Sequence, residues 1–91
     1  MITKNYKEFN LEKFLENLKK TLKEKEYVII SSQEMTEKNF PSIIVLTVAK
    51  KDTVFRISVV LDKNGITVTV VGLKDADIEK EIRFIFENLP L

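Results

Sequence analysis

The residues able to do chemistry in this chain are few in kind. Its 91 residues include no histidine and no cysteine. That removes the commonest general base, the commonest metal ligand, every thiolate nucleophile and any disulfide. Serines, threonines, 14 carboxylates and 15 basic side chains remain. A serine nucleophile such as Ser31, Ser32, Ser42 or Ser58 would need a lysine or carboxylate to take its proton. Ser31-Ser32 stands in no G-x-S-x-G frame. The densest acidic cluster is Asp75, Asp77, Glu79 and Glu81. Carboxylates can hold Mg²⁺ or Ca²⁺, but the D-x-D-x-D-G order of a calcium loop is missing. Their place at a helix start accounts for them as capping and dipole residues. The two glycines, Gly65 and Gly72, form neither G-x-G-x-x-G nor a Walker frame. The sequence therefore points to no catalytic, metal-ligating or cofactor-binding residue, to no cofactor, and to a protein that is not an enzyme.

Binding chemistry is better represented. Lys19, Lys20, Lys23 and Lys25 gather late in one segment, Lys50-Lys51 tip one turn and Lys63 tips another. Lysines can neutralise phosphates and release counterions without reading sequence. Lys19, Lys23, Lys50, Lys51 and Lys63 are accordingly the candidate contacts of a weak, sequence-blind nucleic-acid binder. Two facts weigh against that reading. The formal net charge is only +1, and the strands lack the interleaved aromatics on which single-stranded bases stack. Arg56 and Arg83 are the only arginines, so bidentate recognition of phosphates is scarce as well.

The elements that must carry these side chains follow from periodicity. Ninety-one residues, 44% of them hydrophobic, make one domain spanning 1–91. Met1–Lys7 is polar, reads as a loose tail and lacks the apolar core of a signal peptide; no apolar run approaches membrane length. Cytoplasmic residence is the expectation. Richness in lysine, glutamate and isoleucine is shared by A/T-rich genomes and thermophile proteins. Asn10 should cap a helix, with Phe9 stapled on Phe14 and an apolar stripe of Leu11, Phe14, Leu15, Leu18 and Leu22. Strands are expected at Tyr27–Ser32, Ile43–Ala49, Val54–Leu61 and Ile66–Val71, with Glu34–Asn39 a polar loop ended by Phe40-Pro41. Asn64-Gly65 marks a hairpin through its tolerance of positive φ, and Gly72 an exit kink. Asp75 should cap a last helix whose stripe is Ile78, Ile82, Ile85, Phe86 and Leu89. The fold class is α+β: a four-stranded antiparallel meander with an N-terminal and a C-terminal helix on one face, in two layers. That order resembles the small helix-flanked sheets of chaperone-like and TATA-binding-like domains, a likeness of architecture that implies no activity.

Alternation then assigns the faces. Phe55, Ile57, Val59 and Leu61 face the helices, while Arg56, Ser58, Thr67 and Thr69 face away. The outward rows also carry Val54, Val60 and Val71, joined by either Ile43 with Val45 or Ile44 with Leu46 and Val48. A second strand apolar on both rows looks covered on both faces; the alternative is that these β-branched residues serve strand propensity and the valines are scattered surface residues. Phe84 falls off the stripe of its helix, as an interface anchor would, or else packs on the Glu34–Pro41 loop against Phe40 or Met35. Val54, Val60, Val71 and Phe84 are thus the candidate interaction residues of a non-enzymatic protein–protein interaction module, a homodimer or an assembly subunit.

Overall fold

The computed structural model describes residues 1–36 and 41–90. The order is β1 (Ile2–Tyr6), α1 (Leu11–Glu24), β2 (Val28–Thr36), β3 (Ser42–Lys50), β4 (Thr53–Asp62), β5 (Gly65–Val71) and α2 (Ala76–Glu87). All strand pairs are antiparallel, in the spatial order β1-β5-β4-β3-β2. The meander of four strands is present, and a fifth strand extends it.

That fifth strand corrects the expectation of a loose tail. Ile2 and Tyr6 are buried, Thr3 and Asn5 are exposed, and Ile2–Tyr6 pairs residue for residue with Val70–Ile66. The tail is fixed because β5 would otherwise leave a free edge beside a buried core. A second correction concerns β2, which runs on through Glu34 and Met35 to Thr36 where a polar loop was expected. Its backbone is held by β3 opposite, and a bulge after Ile29 sets Ile30 out of register. Phe40 and the rest of the 37–40 segment lie outside the described residues.

The helices form where caps and stripes coincide. Asn10 accepts a hydrogen bond from the Lys13 amide at 3.1 Å, and Phe14, Leu18 and Leu22 are buried. The ring against Phe14 is that of Tyr6, with centroids 5.1 Å apart, while Phe9 is exposed. The staple thus comes from β1. At the other end the Tyr27 amide donates to the Leu22 carbonyl and the Glu26 amide to the Lys23 carbonyl. This is a Schellman closure with Glu26 at φ 68, a position usually given to glycine. In α2 the Asp75 side chain accepts from the amides of Asp77 and Ile78 at 2.9 and 3.0 Å.

Both helical stripes share one core with the inner sheet face, where Leu46, Val48, Ile57, Val59, Ile66 and Val68 are fully buried. The molecule has two layers: helices on one side of the sheet, nothing among the described residues on the other.

Candidate interaction surface

The register builds the outer face row by row. Thr67, Val60, Ile43 and Met35 lie side by side across β5, β4, β3 and β2. The next row is Thr69, Ser58, Val45 and Gln33, and the next is Val71, Arg56, Thr47 and Ser31. Val54, Ala49 and Val28 close that end. Of the two alternatives for β3, the structure therefore turns Ile43 and Val45 outward and buries Ile44, Leu46 and Val48.

Two apolar areas result, separated by hydroxyl and guanidinium groups. One is Ile43, Val45, Val60 and Met35. The other is Val54, Val71 and Val28, with Val54 at 55% and Val71 at 51% exposure. Arg56 stands between them, exposed and without an ion-pair partner among the described residues. A shallow hollow of about 240 Å³ opens beside it, lined by Thr47, Val54, Phe55, Arg56, Val71 and Gly72.

Phe84 is not part of this surface. It is 58% exposed on α2, in the helical layer, so the structure brings Val54, Val60 and Val71 to one face and leaves Phe84 apart. Met35 lies across the sheet from it, on the outer row. Sequence reasoning missed Val28 and Ile30, both exposed at the free β2 edge. The alternation from Tyr27 inward was the available signal for Val28; the bulge that expels Ile30 leaves no trace in the residue types.

The candidate lysines are dispersed. Lys50-Lys51 tip the β3–β4 turn and Lys63 tips the β4–β5 turn, at opposite ends of the ten-residue β4. Lys19 and Lys23 belong to α1. Lys50 is engaged internally: its Nζ lies 2.7 Å from Glu81 Oε1 and 4.6 Å from the centre of the Tyr27 ring. The Lys50 hydrogen bond, aided by the nearby Tyr27 hydroxyl, holds the Glu81 carboxyl below its usual range. Burial first, and the Glu81 charge after it, raise the Tyr27 hydroxyl far above the normal tyrosine value. That hydroxyl sits near Glu81 without meeting hydrogen-bond geometry and is otherwise unpartnered. The trio ties β3, β2's entry and α2 together.

A groove of about 620 Å³ opens between α1 and the far end of the β2–β3 hairpin, lined by Leu11, Leu15, Ile44, Glu12, Glu16, Glu34 and Lys19. Among the described residues no group of three or more carboxylates is arranged to hold a metal ion. No helix among them is long and apolar enough to cross a membrane. Compared with known protein families, curated proteins and solved structures, the chain finds no match in any of the three.

Proposed function

We propose that this chain is a non-enzymatic protein–protein interaction module, acting as a homodimer or as a subunit of a larger assembly through the outer face of its sheet. The observation that carries the reading is the bare outer face itself. Ile43, Val45, Val54, Val60 and Val71 stand on one side of a sheet whose other side is sealed by two helices. A lone two-layer domain does not need large apolar side chains on its open face, and the two apolar areas there are what a partner would cover. The nucleic-acid reading has less support, because Lys50 is held by Glu81 and Lys63 lies at the other end of the sheet.

Sedimentation at micromolar concentration tests the proposal. A mass above the 10.6 kDa of one chain is expected. Val60→Glu, which puts a charge into the central apolar area, is expected to lower that mass toward a single chain. A wild-type monomer whose sedimentation is unchanged by Val60→Glu overturns the reading.

A further inference from the structure

The outer face carries its own complement. Resting on the interaction reading above, we propose that its partner is a second copy of this chain, packed sheet against sheet so that Arg56 of each copy meets Asp62 of the other.

Arg56 and Asp62 lie on the same side of β4, because six residues separate them and side chains alternate with period two. Asp62 uses one carboxylate oxygen to accept the Asn64 amide at 2.8 Å, which leaves the other available. Along the strand the two charges are about 20 Å apart, too far to pair within one copy. A two-fold axis lying in the interface and crossing β4 at Val59 exchanges them. Arg56 then faces the partner's Asp62, and Asp62 faces the partner's Arg56. An isologous contact of this kind uses every pairing twice.

The same axis makes the central rows agree, and leaves Val54 and Val71 at the rim of the contact. Ser58 lies over the partner's Val60, and on β3 Ile43 lies over the partner's Val45, so the central apolar area closes on itself. On β5 Thr67 meets the partner's Thr69, two hydroxyls that can donate and accept in turn. Neighbouring alignments fail on charge. An axis through Ser58 presses each guanidinium onto the partner's Val60, and one through Arg56 sets the two guanidinium groups against each other. Desolvating an unpaired charge is what an interface cannot tolerate.

Size fits as well. Sheets pack about 10 Å apart with strands within about 30° of alignment, a gap that arginine and aspartate span together. The overlapping part of the face is about 20 Å by 24 Å, roughly 500 Å² per copy, near the lower bound of specific interfaces. That is the scale of a dimer in exchange with monomer at micromolar concentration.

The test uses two charge reversals and their mixture, read by sedimentation, with circular dichroism reporting the fold of each variant. Arg56→Asp alone sets acid against acid, and Asp62→Arg alone sets base against base; each is expected to weaken self-association at least tenfold. Mixed in equal amounts they restore both pairings, and a heterodimer of near wild-type affinity is expected. Asp62→Asn keeps the acceptor that Asn64 requires and stands in if Asp62→Arg fails to fold. It too is expected to raise the dissociation constant about tenfold. A wild-type monomer overturns both this arrangement and the homodimer reading beneath it. A wild-type oligomer that survives Arg56→Asp and Asp62→Asn unchanged, or folded reversals that do not pair when mixed, overturns the arrangement alone.

Discussion

Two backbone positions show how much a single residue decides here. Gly65 holds φ +102, and a Cβ there would fall 2.2 Å from the carbonyl oxygen of Tyr6. The glycine is what lets β1 lie beside the hairpin, so Gly65→Ala must push the two strands apart. We expect a loss of about 2–4 kcal/mol, read as a drop in Tm of roughly 10–25 °C. Glu26 is the opposite case. It takes the left-handed conformation at a cost a glycine would not bear, so Glu26→Gly is expected to raise stability by about 0.5–1 kcal/mol in a denaturant titration. The Asn64-Gly65 pair was legible as a turn from residue types, although only Gly65 adopts positive φ. The Glu26 closure was not legible, because nothing in Lys25-Glu26 advertises a left-handed residue. Lys4 explains why β1 was read as a tail. It interrupts the Ile2–Tyr6 alternation, yet it is half-buried in the structure with its amine 5.4 Å from the centre of the Tyr6 ring.

Among the elements, the helices and the meander were legible because each is written locally, in a cap and a stripe or in an alternation. What was not legible is how they are sewn together. The Tyr6 hydroxyl donates to the Phe86 carbonyl, one of the acceptors that the end of α2 leaves without a helical partner. The Asn17 amide donates to the Pro90 carbonyl at 2.8 Å, joining α1 to the chain beyond α2. Both bonds cross more than 70 residues, a distance over which no sequence pattern operates. Tyr6→Phe leaves the ring on Phe14 but strands the Phe86 carbonyl, for an expected cost of about 1–2 kcal/mol. Faster amide exchange in the last turn of α2 would accompany it, with β4 unaffected.

For the molecule as a whole, the missing histidines set the pH response. Glu81 titrates below its normal value in the folded state because of Lys50, and Glu8 does so because its carboxylate accepts the amides of Asn10 and Phe9. A depressed carboxyl stabilises the fold fully above its unfolded value of about 4.3, and that stability is lost as pH falls from there. Tyr6 and Tyr27, both raised by burial, keep their stabilisation up to the unfolded value of about 10 and lose it as pH climbs further. Chemical denaturation should therefore give a plateau across pH 6–8, falling on the acid side near pH 4 and on the alkaline side above 10. A slope inside the plateau would contradict this account. At this scale the outer face was legible as well, since alternation alone separates Val54, Val60 and Val71 from the core. Phe84 could not be placed, because helical phase tells which side of α2 it occupies but not where α2 sits.

The pairing of Ile2 with Val70 also dictates an order of events during synthesis. The first strand and its neighbour in the finished sheet lie 60 to 68 residues apart along the chain, so β1 is made well before β5. β1 therefore has no strand partner until β5 has been made. Contacts so distant along the chain make folding slow relative to a helical bundle of the same length. Whenever β1 is undocked, the edge of β5 that carries Val70 is unpaired and open to the addition of another strand.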